Sequence, residues 1–374
     1  MTLRLLPVLG AIFAIASFFV ADFVTDGAAN YATAGRAFLL TGIALVIVAA
    51  LGFVRSWGWP LIVVAIVLIG WTAQSLLFAI GGYGLQVGPA FWLQLIALWL
   101  LTWHTGERLT EVHGTGWLGS LARGLVAIIF GLAILVIWEA ITRGARVPLV
   151  ILPPPSLIWQ RLAENVPLLY ADFQQTFLKS VLSGYVLGCG SGLIVAIAID
   201  RSPFLKSGLL PLGNFVSALP LVGIAPIMVM WFGFDWPSKA AVVVIMTFFP
   251  MLVNTVAGLN ASGSMERDMM RTYASSYWQT LFKLRLPAAA PFIFNALKIN
   301  STLALIGAIV AEFFGTPVVG MGFRISTAVG RMNIDLVWAE IAVAAVAGSA
   351  FYGVVALIER GVTFWHPSIR GGSA

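Results

Sequence analysis

Residues 262–286 read SGSMERDMMRTYASSYWQTLFKLRL and are the longest hydrophilic stretch in the second half of the chain. Strongly apolar runs lie on both sides of it, near 240–261 and 289–311. A charged segment between two apolar runs of about 20 residues predicts a loop that joins two membrane-spanning helices. This stretch therefore favours a bundle of helices in a membrane, with the loop outside the lipid.

The composition of the whole chain agrees with a membrane protein. Of its 374 residues 60% are hydrophobic and 10% are charged, whereas soluble domains carry roughly 25% charged residues. A soluble fold of this size could not bury so much apolar surface, so membrane lipid must surround much of it. The net charge is +6. The basic residues lie mostly between apolar runs and form no stripe interleaved with aromatic residues, so we expect no nucleic-acid partner.

Several apolar stretches approach the length of a spanning helix, which needs about 20 residues to cross a hydrocarbon core about 30 Å thick. They lie near 5–24, 37–54, 61–80, 88–104, 124–142, 177–199, 209–234, 240–261, 289–311 and 337–358. We therefore predict an all-α polytopic membrane protein with about ten transmembrane helices, of which the fourth has the weakest signal. Arg4 before the first stretch is typical of a signal peptide, but the apolar run continues beyond Val20, which indicates a membrane helix.

Polar segments divide the chain into modules. Residues 105–123 form a polar linker between an N-terminal four-helix membrane module, residues 1–104, and six C-terminal helices. Tryptophans near predicted span ends in the first module are typical of an interfacial belt, so we interpret it as a scaffold, or alternatively as a docking surface for another subunit. Basic residues are more frequent in those loops that are cytoplasmic when both termini are cytoplasmic, which favours that topology.

Glycines predict close helix packing in the C-terminal part. Gly184, Gly188 and Gly192 are spaced four apart within one apolar run. This spacing places them on one helix face, where a second helix can approach backbone to backbone. We therefore expect the six C-terminal helices to form a tight bundle.

The segment from Asp268 to Pro287 resembles the EAA loop of ATP-binding-cassette (ABC) importer permeases. That loop begins Glu-Ala-Ala, has Gly six residues after the Glu, and closes with Leu-Pro. Here Asp268 stands for the Glu, and Ala274 for the Gly. The two alanines are replaced by Met269 and Met270. The usual continuation of the loop is matched by Trp278, Gln279, Phe282, Leu286 and Pro287.

Further fragments of the same family follow in its order. They are LPPPS at 152–156, Leu219-Pro220, Ala225-Pro226, Trp231-Phe232-Gly233, FFP at 248–250, Asn254-Thr255, Ala311-Glu312 and Gly320-Met321-Gly322. In this order and spacing they resemble the nitrate, taurine and sulfonate branch of type I ABC importer permeases. The resemblance covers residues 124–370.

The resemblance implies that residues 124–370 form a permease transmembrane domain with a cytoplasmic coupling helix at about 264–286. It implies a second permease copy or a homologue, a cytoplasmic ABC ATPase dimer docked on the two loops, and an extracytoplasmic solute-binding protein. Such a permease moves a small solute, in this branch often anionic or heteroaromatic, inward across a bacterial inner membrane by alternating access. ATP and Mg²⁺ belong to the ATPase, so we expect no cofactor in this chain.

The expected ATPase-coupling residues are Asp268, Met269, Met270, Arg271, Tyr273, Ala274 and Ser275. We expect a short helix around 266–276. Asp268 and Arg271 are three apart and face the same side of such a helix. The methionines and Tyr273 supply an adaptable apolar surface suited to a partner's groove. Ala274 is expected to stay small, because the docked helix approaches its partner closely at this position.

Polar and helix-breaking residues within apolar spans are candidates for the solute pathway. Prolines break or kink helices, and irregular backbone at membrane depth is tolerated where it lines a cavity or is buried in protein. The candidates are Ser217, Pro220, Asn254, Asn300 and Glu312, and the resemblance supports Glu312 because the family carries an acidic residue there. Lys298 lies within a span, where it either faces a cavity or extends to the interface.

The sequence indicates neither an enzyme nor a metal site. It has no P-loop lysine motif, so the chain cannot hydrolyse ATP by itself in the usual P-loop way. His104, Glu107, Glu111 and His113 lack the HExxH spacing and are interpreted as part of a solvated loop. Two alternatives remain. A self-sufficient secondary transporter needs an ion relay, for which only Lys298 is clearly intramembrane, and a membrane scaffold transports nothing.

Overall fold

A computed structural model describes residues 5–20, 31–54, 57–80, 87–111, 117–202, 204–205, 207–209, 220–315 and 318–365 of the chain. The elements that these residues form are helices. They fall into two compact units, Met1–Gln160 and Arg161–Ala374. The prediction of an all-α protein is confirmed.

Six helices in the described part of the chain are long and apolar enough to cross a membrane. They are Trp59–Ala79, Gly124–Gly144, Val166–Arg201, Trp236–Leu259, Tyr277–Glu312 and Ile334–Val362. Shorter apolar helices occupy Leu5–Phe19, Phe38–Leu51 and Gly223–Phe232. A polytopic membrane protein follows from these lengths, whereas the count of about ten spans stays a prediction.

The described residues of the first unit form five helices and the start of a sixth. They are α1 (Leu5–Phe19), α2 (Tyr31–Leu51), α3 (Trp59–Ala79), α4 (Pro89–Glu111), α5 (Trp117–Gly144) and α6 (Pro155–Glu164). Gln94 of α4 is fully buried and connects three of them. Its amide donates to the Phe38 carbonyl at 3.1 Å and to Ser17 at 3.4 Å, and it accepts from Thr41 at 2.8 Å. Such bonds matter in lipid, where no water can satisfy the amide.

The expectation that His104 lies in a solvated loop is wrong. Helix α4 continues to Glu111, because Leu101, Thr105 and Leu109 repeat every four residues and are all fully buried. His104 is also fully buried, and its ring lies edge-on to Trp57 with centroids 5.6 Å apart. No group of three potential metal ligands occurs among the described residues.

The proline-rich LPPPS segment is fixed at its last residue. Pro155 begins α6, and the backbone N–H of Ser156 donates to a carboxylate oxygen of Glu139 at 2.9 Å. The Ser156 hydroxyl donates to the other oxygen at 2.6 Å, and Arg143 pairs with the same carboxylate at 2.5 Å. A charge-assisted cluster therefore attaches the segment to α5.

The described residues of the second unit form the helices that position the site. They are α7 (Val166–Arg201), α8 (Leu221–Phe232), α9 (Trp236–Leu259), α10 (Ser264–Thr272), α11 (Tyr277–Glu312), α12 (Met321–Gly330) and α13 (Ile334–Val362). Two of them include π-helical segments, Gln174–Val181 in α7 and Leu281–Arg285 in α11. Segments of this kind occur frequently at functional sites, and each of these two lies near one of the polar clusters described below.

The predicted glycine face is confirmed. A Cβ atom on Gly184 would lie 2.6 Å from the Val243 side chain, and one on Gly192 would lie 2.7 Å from the Phe248 carbonyl oxygen. At Gly188 it would overlap the Thr247 side chain. All three glycines therefore face α9, and α7 and α9 approach each other as closely as their backbones allow.

Candidate functional site

The loop after α9 forms a short amphipathic helix, α10, that lies outside the packed core. None of its residues is buried. Met265, Met269 and Tyr273 follow one another at four-residue spacing and are 84%, 55% and 77% exposed. Residues at this spacing share one helix face. The loop therefore presents an uncovered apolar stripe, which we call the loop face (Met265, Met269, Tyr273).

Helix α10 ends because Ala274 adopts a left-handed backbone with φ of 51°. The Ala274 N–H donates to the Arg271 carbonyl at 2.9 Å and the Ser275 N–H donates to the Met270 carbonyl at 3.0 Å. This pair of bonds is a Schellman motif, in which the left-handed position is usually glycine. The glycine of the EAA pattern thus has a backbone explanation at this position, and Ala274 holds the same turn with a methyl group.

Two polar side chains in the expected coupling set contribute little to the structure of α10. Asp268 and Arg271 approach to 3.4 Å, but both side chains are largely exposed. Exposed ion pairs of this kind are worth about 0–1 kcal/mol. Both groups are therefore available to a partner surface.

The chain becomes helical again at Ser276. Its hydroxyl accepts from the Gln279 N–H at 3.3 Å, and the Gln279 side chain accepts from the Ser276 N–H at 2.9 Å. This reciprocal pair is a capping box. It starts α11 at Tyr277, within the 262–286 stretch, so α10 is joined to a spanning helix by a short, hydrogen-bonded turn.

A cluster at the base of the loop attaches α11 to α7 and α9, and we call it the loop anchor (Asp200, Tyr277, Arg285). Arg285 donates two bonds to the Asp200 carboxylate, at 2.6 and 2.7 Å. Tyr277 donates to the same carboxylate at 3.0 Å, and Arg285 also donates to the Leu259 carbonyl at 3.0 Å. The two charged side chains are only 10% and 13% exposed. A two-bond arginine–carboxylate pair fixes orientation as well as distance.

Sequence reasoning missed the loop anchor. Asp200 closes an apolar run and Arg285 precedes Leu286-Pro287. One signal could have indicated the pair. Asp200 follows one predicted span and Arg285 precedes another, and the predicted topology places both residues on the same side of the membrane.

At the other end of this unit, the predicted Glu312 lies in a second polar cluster, the distal cluster (Asp172, Thr176, Glu312, Gly320, Arg324). Thr176 donates to Glu312 at 2.8 Å, and the Gly322 N–H donates to Glu312 at 2.7 Å. Asp172 accepts from the Gly320 N–H at 2.6 Å and from Arg324 at 2.8 Å. Glu312 is 2% exposed, so in this conformation it is packed into protein.

The turn Gly320-Met321-Gly322 closes directly over Glu312. Gly320 has φ of 142°, and a Cβ atom there would lie 2.8 Å from the Glu312 carboxylate. Only glycine fits both the backbone and the contact. Ala311-Glu312 and this turn are consecutive fragments of the family pattern. They therefore contact each other in the folded protein.

The other predicted pathway residues lie apart from Glu312. Asn300 is fully buried in the middle of α11, where it donates to the Thr247 carbonyl at 2.7 Å. It lies about 18 Å from Glu312 along the helix. Asn254 is half-buried and donates to the Pro250 carbonyl at 2.8 Å, and Pro220 is exposed just before α8. Ser217 lies outside the described residues.

Several buried charges were not predicted. Lys239 is 1% exposed, and its ammonium donates to the carbonyls of Phe234, at 2.6 Å, and of Gly315. Glu340 is fully buried and interacts electrostatically with Asp172 and Arg324. These residues lie at the ends of apolar runs, which is why reasoning about span centres overlooked them.

Lys298, which the sequence places within a span, pairs with Glu359 of α13 at 2.8 Å. The lysine and the glutamate are 20% and 16% exposed. Paired charges are the usual way for ionisable groups to be tolerated at membrane depth. Lys298 therefore connects two spanning helices.

Asp235 precedes α9 and caps it. The Trp236 N–H, at 2.8 Å, and the Gln175 amide, at 2.8 Å, both donate to its carboxylate. These bonds stabilise the charged form and hold the pKa of Asp235 below its ordinary value. Asp235 thus stays ionised and joins the start of α9 to the π-helical part of α7.

Comparisons with known proteins identify a family and several relatives. The family described as "Binding-protein-dependent transport system inner membrane component" matches residues 188–364, which include α8 to α13 and the loop. A probable ABC transporter permease protein of Haemophilus influenzae is 34% identical over 208 residues, 56% of this chain and 84% of that protein.

Two further relatives have more specific names. The riboflavin transport system permease protein RibX of Chloroflexus aurantiacus is 30% identical over 239 residues, covering 63% of this chain and 88% of that protein. The taurine transport system permease protein TauC of Escherichia coli is 25% identical over 261 residues, covering 68% and 94%. The similarity therefore extends over most of the length of each relative.

Proposed function

Since this chain belongs to the binding-protein-dependent transport system inner membrane components, we propose that its 262–286 loop is the element on which the ATPase of the transporter acts. The chain is a permease subunit of an ABC transporter for small solutes, and it is a multi-pass component of the inner membrane. It is not catalytic and binds no cofactor itself. A system of this kind also contains an ATPase and a solute-binding protein.

The observation that carries the proposal is the uncovered loop face. Met265, Met269 and Tyr273 are exposed on a helix that buries none of its own residues. Large apolar side chains on a loop outside the lipid mark a protein interaction surface. Methionine adapts to the shape of a partner's groove. The expected coupling residues Asp268 to Ser275 lie on or directly after this helix.

The loop anchor gives the docked ATPase a mechanical connection to the spanning helices. Arg285 binds the end of α7 through Asp200 and the end of α9 through the Leu259 carbonyl. A displacement of α10 is thereby passed to three long helices together. ATP binding closes the ATPase dimer and moves the two permease bundles from inward-open to outward-open, and hydrolysis resets them.

We further propose the arrangement of the whole subunit. Residues 124–370 act as the transport domain beside a second copy or a homologue, and residues 1–104 form an accessory membrane module. About ten spans with both termini in the cytoplasm place the 262–286 loop on the cytoplasmic side. Ser217, Pro220, Asn254, Asn300 and Glu312 lie on or near the pathway between the two permeases.

The solute is proposed to be small and either anionic or heteroaromatic. Relatives named for riboflavin and taurine transport support this class, because riboflavin is heteroaromatic and taurine carries a sulfonate. Uptake of a labelled sulfonate and of a labelled flavin by the complete transporter tests it.

A charge placed on the loop face tests the docking proposal. Met269→Asp is expected to reduce co-purification of the ATPase with the permease about thirtyfold, the loss of a central interface anchor worth about 2 kcal/mol. Permease level should be unchanged, because Met269 is 55% exposed on a helix that buries none of its residues.

The matched control is Met332→Asp. Met332 is also an exposed methionine, 68% accessible, in the turn between α12 and α13. The Met332→Asp variant should co-purify with as much ATPase as the wild type. If Met269→Asp retains as much ATPase as the wild type and the Met332 variant, the loop face is not the docking surface.

A further inference from the structure

We propose that the permease binds an anionic phospholipid at Arg201, in the leaflet that meets the 262–286 loop. This inference does not depend on ATPase docking. The site is a cleft of about 560 Å³ between the end of α7 and the start of α11. Its volume lies within the range of about 300–1,000 Å³ that is usual for ligand sites.

The lining of the cleft changes from apolar to polar along α7. Ile194, Ile197 and Ala198 line one part, and Arg201 and Ser202 line the other. Ile194 is 68% exposed and continues the row of exposed apolar side chains at Val186 and Leu187. A face of this kind on a spanning helix contacts acyl chains. This change from apolar to polar lining therefore matches a phospholipid, whose acyl chain would lie along the isoleucines and whose phosphate would lie at the polar end.

Arg201 has a positive charge that no carboxylate among the described residues pairs with. The adjacent Asp200 carboxylate is held by Arg285. Within the described part of the chain, Arg201 forms no ion pair. Its guanidinium carbon lies 5.7 Å from the ring centre of Tyr277 and 5.9 Å from that of Trp278. Contacts at this distance orient a guanidinium without neutralising it, so its N–H groups remain available to a phosphate.

The depth of Arg201 in the membrane follows from helix lengths. Among the contacts that join α7 to α11, Thr176–Glu312 lies in the distal cluster and Asp200–Arg285 lies in the loop anchor. At 1.5 Å per residue they are about 36 Å apart along α7 and about 40 Å apart along α11. A bilayer is about 30 Å thick in its hydrocarbon core and about 40–45 Å thick with its head groups. Arg201 therefore lies at head-group level when the distal cluster lies at the opposite interface.

The residues around the cleft are of types that are common at the membrane–water interface. Tryptophan and tyrosine are enriched at head-group level, and basic pockets between spanning helices bind anionic head groups. Arg201 also lies at the C-terminal end of α7, where a positive charge favours the helix dipole. A bound phosphate would accept hydrogen bonds from this guanidinium, which pairs with no carboxylate in the described part of the chain.

The test is site-specific photo-cross-linking of the full-length permease in lipid nanodiscs. Equal amounts of phosphatidylglycerol and phosphatidylcholine are used, with a photoreactive group on the acyl chain of one lipid at a time. Mass spectrometry of the digested protein locates the adducts. We expect phosphatidylglycerol, and not phosphatidylcholine, to label the peptide that contains Ile194 to Ala198.

Arg201→Gln should reduce that label about fivefold, the effect of one basic residue near the membrane surface. Arg201→Lys keeps the charge and should retain most of the label. Arg360→Gln removes another exposed arginine, in the last turn of α13, and should change nothing. Thermal unfolding of each variant separates loss of lipid from loss of fold, and Arg201→Lys covers the case in which the glutamine variant unfolds.

Equal labelling of the wild type and Arg201→Gln by phosphatidylglycerol overturns the proposal. So does equal labelling of the wild type by both lipids. Millimolar inorganic phosphate is added as a further arm. Loss of the label in its presence would mean that the site takes free phosphate and not the lipid.

Discussion

Arg285 and Asp200, 85 positions apart in sequence, form a two-bond ion pair with N–O distances of 2.6 and 2.7 Å. The pair joins the first turns of α11, which follow the exposed loop helix α10 in the chain, to the last turn of α7. Tyr277 and the Leu259 carbonyl share its hydrogen bonds. The loop is thus held at a fixed position relative to the ends of three spanning helices.

Breaking this pair should uncouple the transporter. Arg285→Gln leaves the Asp200 carboxylate half-paired in a site that is about one-tenth exposed. The loss of charge-assisted bonds costs about 1.5–3 kcal/mol each. We expect the ATPase to co-purify nearly as well as in the wild type, since the loop face is unchanged, while solute-stimulated ATP hydrolysis and uptake fall.

The charge-swapped double variant, Asp200→Arg with Arg285→Asp, is the control. It restores the ion pair with reversed polarity and should recover part of the uptake that each single variant loses. If the double variant is no better than the singles, the charges do not position the loop and the proposed transmission through the anchor is wrong.

Ala274 should tolerate glycine better than any larger residue, because its backbone is left-handed. A non-glycine residue in this conformation costs about 1–2 kcal/mol. Ala274→Gly should therefore slow hydrogen exchange in residues 264–276, and Ala274→Val should accelerate it, because β-branched residues rarely adopt positive φ. Ala261→Gly, at an exposed position without positive φ, should show no such gain. Faster exchange in Ala274→Gly would contradict the backbone explanation.

Hydropathy, glycine spacing and the loop motif were sufficient to predict the fold class and the family. The apolar runs have the length that a bilayer demands, and the spacing of Gly184, Gly188 and Gly192 indicates a contact face before its partner is known. The order of short fragments around Asp268 to Pro287 indicates a permease. These signals are local, so a single sequence carries them.

The polar clusters could not be predicted because they depend on contacts between distant segments. Nothing near Asp200 indicates Arg285 as its partner, and nothing near Asp172 indicates Arg324. For His104 the prediction was wrong because a local signal was given too much weight. A polar residue after an apolar run suggests a loop, but the buried four-residue repeat of Leu101, Thr105 and Leu109 extends α4 past it. Tertiary packing overrides the polarity of one side chain.

Gly188 should be the least replaceable glycine of the α7 face. An alanine there would place its methyl group against the Thr247 side chain and 3.0 Å from the Val244 Cα atom. Overpacking of this kind costs about 1–3 kcal/mol, so Gly188→Ala should lower the unfolding temperature of the purified permease. Gly190→Ala lies on the same helix with nothing within 4 Å and should be neutral or slightly stabilising. Equal effects of the two variants would show that α7 and α9 are not in close contact.

The pathway proposal predicts that buried positions become accessible during transport. Asn300 is fully buried in this conformation. If it lines the pathway, a cysteine at position 300 should react slowly with an aqueous thiol reagent in the resting complex and faster when the ATPase is trapped with a nucleotide analogue. The single native cysteine, Cys189, is buried beside Asn300 and is first replaced by serine, which keeps a hydrogen-bond acceptor there.

Ala304→Cys in the same background provides the control for this measurement. Ala304 is also fully buried, one turn further along α11, and it packs in the hydrophobic core of the unit. Its thiol should stay protected in every nucleotide state, because a rigid movement of the bundle does not open the core. Reactivity that rises at position 300 alone places Asn300 on the pathway. Protection of both positions in every state would assign Asn300 to packing between α7, α9 and α11 and remove it from the route of the solute.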